Sequence, residues 1–271
     1  MKNPKTNLVA VKPGQKVQLK EIDADSTGDY KTKDETKARL EKLLARRDAL
    51  QERLYAESKR SLLIVFQALD TGGKDGATKR LLEGLNPAGI HVAAFKAPTT
   101  SELAHDFLWR IHAQTPPRGF IGVWNRSHYE DVLVARVHKL VPENVWRARY
   151  SQINDFERML GENGTVIVKF YLHISKDEQK KRLEARLDDP AKHWKFSTGD
   201  LTERKLWDEY QSAFDDALTQ CSTAYAPWNI VPANHKWARD IAIAERVNAA
   251  LEEMNPQFPD ISFDPKEVLI K

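Results

Sequence analysis

The stretch LLIVFQALDTGGKDGATKR, residues 62–80, decides the fold class of this chain. It opens with an apolar run, residues 62–69, that predicts a buried strand, and it continues from residue 76 with a polar segment of helical spacing. The turn between them contains Gly72, Gly73 and Lys74. Glycines in such a turn let backbone N–H groups converge on an anion, and the next helix presents its positive end there. The stretch therefore predicts a phosphate-binding loop.

The loop departs from the usual pattern at two positions. Ala68 stands where the first glycine is usual, and Asp75 follows Lys74 where a Ser or Thr would normally help to ligate magnesium. Asp70 and Asp75 are carboxylates in the same loop and can replace that hydroxyl as metal ligands. The alternative is an ordinary glycine-rich turn, but strand, Gly-Gly-Lys and helix together favour phosphate binding.

The rest of the chain alternates between apolar runs and polar segments. Further strands are predicted at residues 89–97, 119–124, 165–174 and 229–232, and helices at 76–86, 100–114, 128–139, 144–161, 176–188 and 201–225. Such alternation is typical of βαβ units, so we expect an α/β fold with a mainly parallel sheet.

Three parts of the chain are distinguished by composition. Residues 1–60 comprise a polar arm, which we expect to be peripheral, and an amphipathic helix from about residue 34. Residues 61–255 form the core, and residues 256–271, with Pro256, Pro259 and Pro265, form a tail that we expect to run over the surface.

Composition restricts the class of protein. The chain has 271 residues, 41% of them hydrophobic and 30% charged, which excludes disorder over most of its length. Its net charge of +3 is too small to indicate a nucleic-acid binder. The start Met-Lys-Asn-Pro-Lys indicates no signal peptide, and no apolar run is long enough for a membrane span. With a lone cysteine, Cys221, these features predict a cytoplasmic protein.

A second group of polar residues follows the predicted strand at 119–124. Asn125 and Arg126 should face the same crevice as Lys74, because ligands bind at the carboxyl ends of parallel strands. Asn125 cannot act as a base, whereas Arg126 can bind a phosphate through two nitrogens. Glu130 has two interpretations, as the acid of a Ser127-x-x-Glu130 capping box or as a catalytic group, and both stay open.

A third group lies on the predicted helix at 176–188. Arg182 and Arg186 are four residues apart and share a face, as in the mobile lid that closes over phosphates in small kinases. A solvated charged face is the alternative. Beyond Pro190, Lys192, Trp194 and Lys195 mix cations with an aromatic ring, which suits a polyanion track or a lid hinge. The eight histidines lack metal-ligand spacing and no Gly-x-Ser-x-Gly elbow occurs, so neither a zinc site nor a serine hydrolase is indicated.

Four motifs in series resemble the polyphosphate kinase 2 family: residues 68–76 (ALDTGGKDG), 96–99 (KAPT), 124–131 (WNRSHYED) and 188–196 (DDPAKHWKF). The likeness spans roughly residues 35–255. It implies a P-loop kinase-like three-layer α/β sandwich with a helical lid at about 176–207 and an N-terminal helical extension. It also implies reversible transfer of the terminal phosphoryl group of inorganic polyphosphate to a nucleotide with Mg²⁺, or Mn²⁺, in a dimer or tetramer.

The resemblance implies roles for Asp70, Lys74, Arg126 and Arg186, which match the family's motifs by position, and the remaining candidates come from the residues themselves. Asp70, Lys74, Arg126, Glu130 and Arg186 are the candidate catalytic residues, and Asn125, Arg126 and Arg186 the candidate nucleotide-binding ones. Candidate phosphate-binding residues are Gly72, Gly73, Lys74, Asp75, Gly76, Lys79, Arg80, Lys96, Arg110, Arg126, Arg182, Lys192 and Lys195.

One departure from the family pattern affects the metal and the acceptor. Many members have Asp where this chain has Asn125, which leaves Asp70, Glu130 or Asp131 as candidate metal ligands. Asn125 followed by Ser-His-Tyr-Glu-Asp resembles the subgroup that phosphorylates both AMP and ADP, giving ADP and ATP. Two other functions remain open from the sequence: an ATP-dependent nucleotide kinase, and a polyanion-binding module without catalysis.

Overall fold

One mixed sheet with helices around it organises the computed structural model, which describes residues 5–266, 268 and 270. Our expectations about residues 1–4, and about 267, 269 and 271 in the tail, lie outside the described residues. The strands are β1 (Val9–Ala10), β2 (Ser61–Gln67), β3 (Ile90–Ala94), β4 (Ile121–Asn125), β5 (Thr165–His173) and β6 (Trp228–Pro232). The helices are α1 (Lys33–Glu57), α2 (Lys74–Leu82), α3 (Thr100–Leu103), α4 (Trp109–His112), α5 (Val134–Val137), α6 (Glu143–Glu162), α7 (Lys176–Leu187), α8 (Thr198–Lys205), α9 (Trp207–Gln220) and α10 (Lys236–Met254).

The strand order places the carboxyl ends of β2 and β4 side by side. Across the sheet the order is β1-β6-β5-β2-β4-β3, and all pairs are parallel except β1 with β6. From β2 the chain crosses towards one edge of the sheet to reach β3. From β4 it crosses in the opposite direction, past β2, to reach β5. A crevice for ligands opens at such a switch point, so the residues after β2 and β4 are placed to form a site.

The central strand β2 is buried along its whole length because both of its faces are covered. Leu62, Ile64 and Phe66 pack into the larger core with residues of α1, α2 and α10. Leu63 and Val65 point the other way and pack with Phe156 and Leu160 of α6. This is the three-layer arrangement expected from the sequence, and the continuous apolar run is typical of a parallel strand buried on both sides.

Residues 5–31 are not the peripheral arm that their polar composition predicts. Strand β1 adds to the sheet edge through antiparallel pairing of Val9 with Ile230. Val11, Val17 and Leu19 lie in the larger core and are at most 5% exposed. These residues, with Ala24 and Tyr30, anchor the segment although most of its other residues are at least partly exposed, and their spacing has no helical or strand period that sequence analysis would detect.

Two of the predicted helices are broken into short turns. Residues 100–114 form only α3 and α4, because the side chain of Asp106 accepts from Leu108 N at 2.9 Å and starts a new turn there. Residues 128–139 form a 3₁₀ turn, His128–Asp131, followed by α5. No helix within the described residues is long and apolar enough to cross a membrane.

Candidate active site

The loop after β2 adopts backbone conformations that suit an anion site. Thr71 and Gly73 both have positive φ, at 62° and 98°, and Lys74 is the first residue of α2. Gly73 caps that helix, and a Cβ atom built on it would lie 2.5 Å from Nη1 of Arg239. Glycine is therefore favoured at position 73 by φ, and a side chain there would displace the guanidinium of Arg239.

The side chain of Lys74 is held by carbonyl oxygens of the loop itself. Its Nζ donates to the carbonyl oxygens of Ala68 at 2.9 Å and Leu69 at 3.4 Å, and the side chain is buried. Burial lowers the pKa of Lys74, and the positive charge of Arg126 lowers it further. Asp70, Glu130 and Asp75 act in the opposite direction, and a bound phosphate would add its negative charge to theirs.

Arg126 joins the loop to the turn that follows β4. It donates to Asp70 Oδ1 at 2.8 Å and lies 3.6 Å from Glu130 Oε2, so one guanidinium lies between two carboxylates. Burial acts to lower the pKa of Arg126, but Glu130 and Asp70 outweigh it and the pKa is raised. Burial raises the pKa of Glu130. With its amide oriented to satisfy both neighbours, Gln67 donates to Glu130 Oε1 at 3.0 Å.

Asn125 contacts the loop as well. Its Nδ2 donates to Oδ1 of Asp75 at 2.6 Å, across the crevice between β4 and the start of α2. Asp75 is exposed, so the contact orients a carboxylate that faces solvent and ligand. An aspartate at 125 would bring two carboxylates together here, so the Asn and the loop Asp fit one another chemically.

The two arginines of α7, Arg182 and Arg186, differ in what they contact. Arg182 donates to the carbonyl oxygens of Thr71 and Ala233, and its Nε bonds Glu178 at 2.7 Å, so it ties α7 to the loop. Arg186 lies one turn further along and bonds Asp200 at 3.0 Å and the Lys195 carbonyl at 2.9 Å. Arg182 therefore anchors α7 to the loop, whereas Arg186 contacts the segment that follows α7.

These elements enclose a strongly basic cleft of about 420 Å³. Eight cationic side chains line it against two carboxylates: Lys74, Arg126, Arg182, Arg186, Lys192, Lys195, Lys236 and Arg239, with Asp70 and Asp75. Thr71, Gly72, Gly73, Gly76, Asn125 and Ala185 complete the lining. Crowded cations repel one another unless an anion compensates them, so the cleft suits a ligand with many phosphates.

Sequence reasoning missed two of these cations, Lys236 and Arg239, at the start of α10. Arg239 donates to the Gly73 carbonyl at 3.2 Å and is buried. Partial burial, together with Arg182 and Arg239, lowers the pKa of Lys236. Both residues follow β6, whose carboxyl end lies at the same sheet edge as those of β2 and β4, and that position was the signal available in the sequence.

Several predicted site residues lie elsewhere. Glu130 lines an adjoining pocket of about 30 Å³ that shares Asp70 and Arg126 with the cleft. Asp131 faces Arg149 at 3.2 Å, and burial raises its pKa to about 6. Lys79, Arg80, Lys96 and Arg110 are not among the residues that line the cleft: Arg80 pairs with Glu83, and Arg110 is buried and donates to the Lys96 carbonyl at 2.8 Å.

The carboxylates suit a metal that is held mainly by its substrate. Within the described residues, no group of three or more His, Cys, Asp or Glu side chains could hold an ion by itself. Asp70 lines the cleft and is bound through one oxygen to Arg126, with Glu130 on the other side of the same guanidinium. Mg²⁺ commonly takes one or two carboxylates plus phosphate oxygens and waters, so these residues fit it.

Comparison with known proteins agrees with this geometry. The AMP/ADP-polyphosphate phosphotransferase of Meiothermus ruber is 47% identical over 96% of this chain and 98% of its own length. The ADP-polyphosphate phosphotransferase of Rhodopseudomonas palustris is 41% identical over 94% of this chain and 93% of its own. The crystal structure of polyphosphate kinase 2 from Arthrobacter aurescens TC1 superposes with a TM-score of 0.91 at 47% identity, covering 94% of this chain and 92% of that one. The model of the family described as Polyphosphate kinase 2 matches residues 30–259, and the chain therefore belongs to the polyphosphate kinase 2 family.

Proposed function

We propose that this protein moves the terminal phosphoryl group of inorganic polyphosphate reversibly to AMP and ADP, giving ADP and ATP. The observation that carries the proposal is the cleft at the phosphate-binding loop, where eight cations face two carboxylates. A chain of phosphates is a dense polyanion, and such a surface binds it with strong dependence on salt, as nucleic-acid backbones are bound. The names of the two curated relatives, both polyphosphate phosphotransferases, support the same reaction.

The chemistry needs positioning and charge neutralisation more than covalent help. The loop amides and Lys74 would hold the phosphates of the donor chain. Arg126, fixed between Asp70 and Glu130, would bind the transferred phosphoryl group and balance the charge that develops on its oxygens. Arg186 would close on the same group from the lid, and Asn125 and Arg126 would meet the nucleotide phosphates.

Asp70 would hold Mg²⁺, or Mn²⁺ in its place, and Glu130 would join it only if the Arg126 guanidinium, which lies between the two carboxylates, moved away. When bound, the metal would neutralise part of the negative charge on the phosphates. Asp131 is the weakest of the three candidate ligands because its carboxylate is paired with Arg149. Arg126 occupies one oxygen of Asp70, so the arginine and the metal would share this carboxylate.

We also propose a cytoplasmic location and a dimer or tetramer, as the family resemblance implies. We further propose that the chain divides into an N-terminal segment (1–60), a core (61–255) with a lid at about 176–207, and a tail (256–271). The helices α7 and α8 supply the lid, since they frame the cleft around Arg186.

A donor-competition assay tests the reaction. Purified protein receives AMP or ADP with long-chain polyphosphate and Mg²⁺, and nucleotides are separated by chromatography. We expect ADP and ATP to appear, and both EDTA and Lys74→Ala to abolish them. If product forms only when ATP replaces polyphosphate as the donor, the protein is an ordinary nucleotide kinase.

The variant Asp70→Asn separates catalysis from binding. We expect turnover to be lost and polyphosphate binding to be largely kept. If the wild type forms no product with either donor but still binds polyphosphate, the protein is a binding module without catalysis. Full turnover by Asp70→Asn would instead show that the role assigned to Asp70 is wrong.

A further inference from the structure

A buried ionic cluster lies directly behind the turn that carries Arg126 and Glu130. Lys169 on β5 is 0% exposed and Glu157 on α6 is 1% exposed, and their Nζ and Oε2 atoms are 2.6 Å apart. Lys169 also donates to the Tyr129 hydroxyl and to the Cys221 carbonyl, each at 2.7 Å. Charges removed from water in this way cost free energy, and an ion pair at this depth is not explained by stability alone.

The same carboxylate binds two consecutive residues of the turn. Oε1 of Glu157 accepts from the Tyr129 hydroxyl at 2.8 Å and lies 3.1 Å from Nε2 of His128. His128 and Tyr129 open the 3₁₀ turn His128–Asp131 and are buried. Their side chains are buried in the protein, whereas Arg126, two residues before His128, and Glu130, the residue after Tyr129, line the small pocket that adjoins the cleft.

Arg126 needs such support because its backbone is strained. Its φ is 65°, in the left-handed region that a residue with a side chain rarely adopts, and the strain persists only where neighbours over-determine the conformation. Two fixed points hold the chain here: Arg126 N donates to the Phe66 carbonyl at 3.0 Å, and Tyr129 is held by the cluster.

We propose that Glu157 and Lys169 are positioning residues, which hold Arg126 and Glu130 at the geometry of phosphoryl transfer through His128 and Tyr129. This inference rests on the proposed roles of Arg126 and Glu130. Small displacements of groups that orient a reaction are costly for rate, and a misplacement of about 1 Å can lower it about 100-fold. The cluster therefore affects kcat as well as folding.

Energetic coupling between Glu157 and Arg126 tests the proposal. We expect Glu157→Gln to lower kcat about tenfold or more in the wild type, but less than about threefold in the Arg126→Lys background, since the arginine it positions is already absent. Tm should fall by the same amount in both backgrounds. Asn248→Ala is the matched control, because Asn248 is 3% exposed on α10 and bonds the Leu43 carbonyl far from the turn. It should lower Tm and leave kcat and KM unchanged.

The outcomes separate the proposed role of Arg126 from that of the cluster behind it. If Arg126→Lys keeps wild-type kcat, the proposed role of Arg126 is wrong. If Arg126→Lys is impaired but Glu157→Gln keeps kcat below its melting range, the cluster is only structural and the inference is overturned. Should Glu157→Gln fail to fold, Tyr129→Phe removes only the hydroxyl between Lys169 and Glu157, and we expect it to lower kcat about threefold or more at unchanged KM for polyphosphate. Unchanged kcat in that variant would overturn the inference equally.

Discussion

The contact between Asn125 and Asp75 leads to a prediction about pH. Asn125→Asp replaces a hydrogen bond of 2.6 Å by two facing carboxylates. Because such a pair shares a proton at low pH and repels itself when both groups are charged, activity relative to wild type should fall as pH rises. We expect a loss of about tenfold at pH ~8, and a smaller one at pH ~5.5. The measurement is kcat/KM for AMP across this range.

Asn125→Ala is the control for that profile. It removes the same hydrogen bond without adding a titratable group, so its activity relative to wild type should stay flat with pH. An Asn125→Asp profile as flat as that of the alanine variant would show that residues 125 and 75 do not interact in solution.

Lys236 leads to a second prediction at the scale of one residue. Its pKa is lowered by burial and by two arginines, so its charge is lost at a lower pH than that of an ordinary lysine. We therefore expect KM for polyphosphate to rise at alkaline pH. Lys236→Met should raise that KM about 5-fold at neutral pH, flatten its alkaline rise and reduce the salt dependence by about one counterion.

Lys12→Met provides the comparison, since Lys12 is exposed and does not line the cleft. It should leave KM for polyphosphate and its salt dependence unchanged. Equal effects of the two substitutions would mean that overall charge, and not the cleft, sets the affinity.

At the scale of one element, α2 has a glycine with positive φ at each end. Gly73 precedes it with φ 98°, and Gly84 follows it with φ 82° and nothing within 4 Å of the position that a Cβ atom would take. Alanine at either position should cost about 1–2 kcal/mol of unfolding free energy for the left-handed backbone. Only Gly73→Ala also displaces Arg239, so we expect its kcat to fall about 100-fold while that of Gly84→Ala is kept.

Urea unfolding and steady-state kinetics on the two glycine variants check this expectation. The informative comparison is between variants of similar stability. Wild-type kcat in Gly73→Ala would show that the approach of Arg239 to the loop is unimportant for turnover.

At the scale of the whole molecule, the N-terminal segment is part of the core. Leu19 is 0% exposed and belongs to the larger core, so Leu19→Ala should lower the free energy of unfolding by about 2–5 kcal/mol. Leu140→Ala makes the same chemical change at a side chain that is 65% exposed, and should cost less than about 0.5 kcal/mol. A urea midpoint for Leu19→Ala equal to that of Leu140→Ala would contradict the packing of this segment.

The strands and the loop were predictable because their signals are local. The apolar run at 62–69 and the triplet Gly72-Gly73-Lys74 are each a short stretch of consecutive residues. The run overlaps β2, and the triplet ends at the first residue of α2. The failures have a different cause. The helix predicted at 100–114 is interrupted at Asp106, whose side chain caps a new turn. In the segment 128–139, Tyr129 is bonded to residues 28 and 40 positions away, which no local pattern shows.

The sequence by itself determined the α/β class, the glycine-rich loop between β2 and α2 and the family, because each depends on residue types within contiguous segments of the chain. Only the tertiary structure decided which cations meet in the cleft. Lys236 and Arg239, which follow β6, line it. Lys79 and Arg80 in the last turn of α2, Lys96 just after β3 and Arg110 in α4 do not. Strand order and helix direction determine such convergence, and both follow from long-range packing that no local pattern records.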